Sequence, residues 1–143
     1  MSNHHLASKL RRVAEAKERQ SAHRLARERR YAQTERVRLV RLEAEHAARE
    51  EQTTTQQGMT GLELQLLFAN RVRHTANVSA QRQRIDSQST RVHAATDELK
   101  RRRRDSQVRE AMSIEMRGRH SREMEDKAER ERDDQFAARR TAN

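Results

Sequence analysis

The chain has 143 residues, of which 32% are apolar, 38% charged and 2% aromatic, with no Cys, Pro or Trp and a net charge of +10. An ordinary domain is nearer half apolar and a quarter charged, so this composition excludes a multilayer core, a disulfide framework and thiolate metal sites. No stretch approaches the ~20 apolar residues that span a bilayer, and residues 1–12 lack the apolar run of a secretory leader.

What the composition can build is helix. β-branched residues are sparse and never alternate as a half-buried strand requires, and the absence of Pro removes the strongest helix breaker. A first helix is expected over residues 1–52. Its apolar positions run Leu6, Leu10 and Val13, then Leu25, Ala32, Leu39 and Leu42 after a change of phase.

The pattern breaks at residues 53–61, Thr53-Thr54-Thr55-Gln56-Gln57-Gly58-Met59-Thr60-Gly61. Three consecutive Thr weaken helix, and glycine permits the positive φ that ends one. Thr60 then caps a second helix, with Glu63 three residues on completing a capping box. This second helix is expected over residues 62–140. Its clearest seam is the heptad row Leu64, Val78, Ile85, Val92 and Leu99, interrupted only by Arg71. The row three residues earlier reads Phe68, Thr75, Arg82, Ser89 and Thr96, which is largely polar. A short turn makes the helices antiparallel neighbours. The fold class is therefore all-α: a long antiparallel two-helix coiled-coil hairpin with a longer second helix. Leu39 and Leu42 are expected opposite Leu64, Phe68 and Val72, and Leu6 and Leu10 near Leu99 and Val108. From about residue 112 to 143 the apolar pattern fades among charges, so this stretch is expected to extend beyond the pairing.

Few residues carry a chemical pattern. Glu43 and His46 have the Glu-x-x-His spacing of di-iron bundles, but such a site needs a second copy and two further carboxylates, which the chain lacks. Asn77-Val78-Ser79 matches a glycosylation sequon in mid-helix, where chance explains it better. There is no Gly-rich phosphate loop. An extended hairpin also has no concave pocket to exclude water. No catalytic residue, metal ligand or cofactor is expected, and the chain is read as a non-enzyme. The run Arg101-Arg102-Arg103-Arg104 is the densest basic feature, yet successive helical residues point about 100° apart, so it forms no flat patch. The charge leaves an alternative reading, a basic coiled-coil protein binding nucleic acid, against which the scarcity of aromatic stacking platforms weighs.

One stretch carries a family likeness. Residues 124–140, with Asp134-Gln135-Phe136-Ala137 and then Arg139 and Arg140, resemble the C-terminal end of the FliJ/YscO/HrpO family, where an acidic, Lys-bearing stretch leads to Asp-Glu-Phe-Ala and a basic finish. Gln135 departs from that pattern. Length, the lack of Cys, the break near residue 58 and the longer second helix are also similar. The resemblance implies a cytoplasmic coiled-coil component of a bacterial type III export apparatus, flagellar or injectisome, at the cytoplasmic face of that apparatus. It would act as a central stalk coupling the hexameric export ATPase to the cytoplasmic domain of the export gate, with export chaperones as further partners. It further implies that Asp134, Phe136, Arg139 and Arg140 contact the ATPase ring. Leu39, Leu42, Phe68 and Val72 would contact the gate. Of the family's aromatic residues on the first helix, only Tyr31 is present.

Overall fold

A computed structural model describes residues 3–54 and 58–142. Residues 55–57 of the expected turn, like 1, 2 and 143, lie outside the described residues. Two α-helices account for nearly all the rest: α1, Asn3–Thr54, and α2, Gly61–Thr141. No strand occurs among the described residues. The fold is an all-α helical hairpin whose second helix is the longer.

The start of α2 follows from local chemistry. Gly58 adopts φ +86°, a left-handed conformation that glycine accepts without steric cost. The Glu63 backbone N–H donates to Thr60 Oγ1 at 3.3 Å, and the Thr60 N–H donates to Glu63 Oε2 at 2.9 Å. Both arms of the capping box therefore form. Interior threonines are reconciled with helix by returning their hydroxyls to the carbonyl four residues back, as Thr75 does to Arg71 at 3.0 Å and Thr96 to Val92 at 2.8 Å.

The chain divides into two compact units. The second, Ala22–Glu98, pairs the C-terminal part of α1 with the N-terminal part of α2. Its buried side chains on α2 are Val78, Gln81, Gln88 and Ala95, with His74, Ile85 and Val92 half-buried between them. These alternate at spacings of four and three, the period of an antiparallel coiled coil. On α1 the same period picks out Leu25, Glu28, Ala32, Glu35, Leu39, Leu42 and His46, of which Leu25 is buried and the others half-buried. The row Val78, Ile85, Val92 is thus in the seam. Its companion row is not Thr75, Arg82, Ser89 and Thr96 but the positions one residue earlier. Arg82 and Thr75 are exposed, whereas Gln81 is 3% exposed and Ala95 1%.

The reason is a pair of repeated polar clamps. Gln81 Nε2 donates to the Glu35 carbonyl at 2.8 Å and to the Glu35 carboxylate at 2.6 Å. One heptad away, Gln88 Nε2 donates to the Glu28 carbonyl at 3.1 Å and to its carboxylate at 2.5 Å. An amide on a long side chain reaches across the seam, where Thr or Ser at the neighbouring position would not. These clamps also fix the register. Leu42 shares a groove with Leu67, Asn70, Arg71, His74 and Asn77, about one helical turn further along α2 than the expected Leu64–Val72 neighbourhood.

The first unit, Met1–Ser21 with Leu99–Asn143, uses smaller side chains. Ala14, Ser21, Ser106 and Ser113 are buried with Leu99, and Ser113 is fully enclosed. Leu6, Leu10 and Val13 are not the seam: they are 52%, 39% and 51% exposed on one flank. The seam spacing runs instead through Ala7, Arg11, Ala14, Glu18 and Ser21, which keeps one phase because small residues let the helices approach where Leu would not fit. Leu6 and Leu10 border a groove with Arg109, Met112 and Met116, beyond the Leu99–Val108 neighbours first expected. The His4 ring stacks on His120 at 4.3 Å, and the rest of α2 after His120 is exposed. The overhang therefore begins at Ser121 and not near residue 112.

Candidate functional site

Three surfaces stand apart from the seam. The first is the overhang, residues 121–142, every one of which is exposed. Asp134, Phe136, Arg139 and Arg140 all lie on it, and Phe136 is 68% exposed. Local bonds support the helix here: Ser121 Oγ donates to Glu125 at 3.2 Å and Arg132 Nε to the Ala128 carbonyl at 3.2 Å. Arg139 and Arg140 fall in the last turn of α2, where positive charge complements the helix dipole.

The second surface is the beginning of α2. Leu62, Leu64, Leu66, Phe68 and Val72 are each more than half exposed. Leu64 holds the same heptad position as Val78 yet lies open to solvent. Leu64, Phe68 and Val72, spaced by four, follow one side of α2, whereas Leu39 and Leu42 are half-buried in the seam.

The third surface lies on one side of the second unit and was missed in the sequence because its residues are not adjacent. Arg24, Arg27, Tyr31, Thr34, Arg38 and Arg41 follow one another at spacings of three and four, so they form one stripe along α1. All six are exposed, Tyr31 by 60%. On α2 the matching side carries Arg84 and Arg91 beside a groove with Ala80, Ser87 and Glu35. Arg24 is ion-paired to Glu98 at 2.9 Å and Arg38 to Glu35 at 3.0 Å.

The basic run at 101–104 is spread as its helical spacing requires: Arg102 is half-buried, the other three are exposed, and Arg103 reaches Glu18 at 3.5 Å. The His46 Nε2 lies 3.2 Å from the Glu50 carboxylate, and the ring stacks on His74 with centroids 3.7 Å apart. Glu50 is also held by Arg71 at 2.9 Å. Glu43 is engaged elsewhere, with Arg82 at 3.7 Å. Among the described residues no group of three or more His, Cys, Asp or Glu is arranged to hold a metal ion, and no helix is long and apolar enough to cross a membrane.

At the far end of the first unit, His4 lies against His5 and His120. Desolvation first, and then the positive charge of His5, His120 and Arg117, holds the His4 pKa below its ordinary 6.5. A base whose folded pKa is depressed contributes stability above the unfolded value and loses it as pH falls through and below 6.5. Lowering the pH from 7.5 to about 5 is therefore expected to loosen the N-terminal turns of α1. Amide exchange over residues 4–12 reads this directly. Equal protection at both pH values would show that the ring cluster does not fasten this end.

No family model, curated protein or solved structure matches this chain.

Proposed function

We propose that this chain is a non-enzymatic protein-binding stalk: a coiled-coil component of a bacterial type III protein export apparatus, at its cytoplasmic face, linking a hexameric export ATPase to the export gate. The observation that carries the reading is the overhang. From Ser121 onward α2 is exposed, and it ends in an isolated aromatic, Phe136, followed by Arg139 and Arg140. A single exposed aromatic flanked by guanidinium groups is the side-chain chemistry that dominates protein interfaces.

In this reading the overhang enters the ATPase ring, with Phe136 filling an apolar pocket and Asp134, Arg139 and Arg140 meeting charges on the wall. The open apolar start of α2, with Phe68 and Val72, serves the gate. Export chaperones are further partners. The stalk works mechanically, transmitting subunit states of the ring along a stiff helix.

The test is ATPase turnover with the full-length chain, with a chain ending at Asp126, and with Phe136→Ala combined with Arg139→Ala. The full chain is expected to raise turnover or promote hexamer formation. Both alterations are expected to remove the effect while the helical circular dichroism of the paired region persists. A truncated chain that stimulates as well as the full one would end the assignment of the C-terminal contacts.

A further inference from the structure

The two segments that carry the Tyr31 stripe are strongly basic. Residues 24–41 and 80–94 hold ten Arg against three acidic residues, Glu28, Glu35 and Asp86. Two of those three are drawn into the seam: Glu28 accepts from Gln88 and Glu35 from Gln81. The clamps that set the helix register thus also engage two of the carboxylates nearest this side, although Glu35 still borders the groove and pairs with Arg38. What remains along one side is Arg24, Arg27, Tyr31, Thr34, Arg38 and Arg41 on α1, facing Arg84 and Arg91 on α2.

Several carboxylates border this side. Glu98 holds Arg24 at one end, Arg38 and Gln81 share the Glu35 carboxylate, and Glu45 stands one turn beyond Arg41 at the other end. Arg27, Arg41, Arg84 and Arg91 are exposed. Ala80, Ser87 and Ala94, spaced with Arg84 and Arg91 along α2, are small, so the floor between the two Arg rows is low.

We propose that this side of the second unit binds single-stranded nucleic acid, with the Arg rows on the phosphates and Tyr31 stacking on a base. The stripe spans roughly 26 Å of helix, long enough for several nucleotides. Repeated guanidinium groups at turn spacing suit a repeating polyanion. Tyr31 stands midway along the row with Arg27 one turn before it and Thr34 one turn after, which offers one stacking platform at the centre of a charged track. No large aliphatic residue lies within the stripe to insert into a lipid surface. The inference does not rest on the export-stalk reading, whose contacts lie on the overhang and at the start of α2.

The chain supplies its own reporter, because Tyr31 is the only Tyr and there is no Trp. The experiment titrates the full-length protein with an oligothymidylate of about 12 nucleotides at about 50 mM salt, reading Tyr31 emission and the anisotropy of a labelled strand. Saturable quenching is expected, with affinity falling steeply as salt rises. Arg27→Glu with Arg91→Glu is expected to weaken binding at least tenfold, and Tyr31→Ala, which leaves the charge untouched, by about tenfold. Arg101→Gln with Arg104→Gln is expected to change it by less than about threefold, since that pair lies in the first unit, outside the stripe. Helical circular dichroism checks that each variant stays folded.

The proposal is overturned by the absence of binding at low salt, or by binding that leaves Tyr31 emission unchanged. Equal losses from the stripe and the 101–104 variants would also overturn it, since they would mean diffuse charge attraction. So would a polyglutamate of the same length that binds as tightly as the oligonucleotide. Loss of export-ATPase stimulation by the C-terminal variants is read separately and leaves this result untouched.

Discussion

Replacing Leu99 with Ala is expected to cost about 2–4 kcal/mol and to lower the melting temperature more than any other single truncation of the first unit. Leu99 is 7% exposed and is the one large apolar side chain among the buried residues of that unit, the others being Ala14, Ser21, Ser106 and Ser113. The surrounding helices relax only partially into the space that a lost isobutyl group leaves, so part of the cavity persists and its cost is felt. A two-helix seam also has little other burial to fall back on, since net stability is a small difference between large opposing terms. Circular dichroism melts and urea unfolding of Leu99→Ala and of Leu99→Met give the comparison. The methionine conserves volume and is expected to cost less than about 1.5 kcal/mol. A melt unchanged by Leu99→Ala would remove Leu99 from the seam.

Substituting both clamp glutamines, Gln81→Leu with Gln88→Leu, is expected to act in the opposite direction and raise stability by about 1–2 kcal/mol per site. Each glutamine is nearly buried, at 3% and 7% exposure. Its amide donates to a carbonyl that already accepts the regular helical bond, so removing the donor leaves no orphaned acceptor. The Glu35 carboxylate keeps Arg38 as its partner, and the half-buried Glu28 carboxylate, released by Gln88, exchanges that bond for water. Leucine adds apolar burial at the same position. The cost falls on uniqueness. The native register satisfies both clamps, Gln81 with Glu35 and Gln88 with Glu28, whereas sliding one helix by a heptad leaves only one satisfied. Without them, slipped pairings compete, as when a buried polar residue is removed from a coiled coil. Because the chain has no Cys, engineered cysteine pairs across the seam can trap each register cleanly. The double variant is expected to melt higher and to cross-link in slipped as well as native pairs. A lower melting temperature with native cross-linking alone would show that the clamps stabilise the pairing outright.

The contrast between these two sites shows how far the sequence could be read. The helical fold was legible because its causes are local: no Pro, a Thr- and Gly-bearing break, and Thr60 with Glu63 at capping-box spacing. The row Val78, Ile85, Val92 and Leu99 was legible because apolar residues at heptad spacing declare a buried face whatever lies opposite. The candidate surfaces were less so. Phe136 stood out as a lone aromatic, but the Tyr31 stripe needed α2 beside it before its Arg residues formed one side of a groove.

By itself, then, the sequence determined two helices, their break and one of the two rows that hold them together, since helix propensity, capping and periodicity act within one segment. Only the tertiary structure decided the second row, the register, and the point at which α2 outruns α1. Helical periodicity leaves positions three and four residues away almost equally near a seam, and hydropathy favours neither Gln81 nor Arg82. The choice falls to what stands across the gap. A glutamine amide finds the Glu35 carbonyl and carboxylate there, and Ser113 fits where helices pack too closely for anything larger.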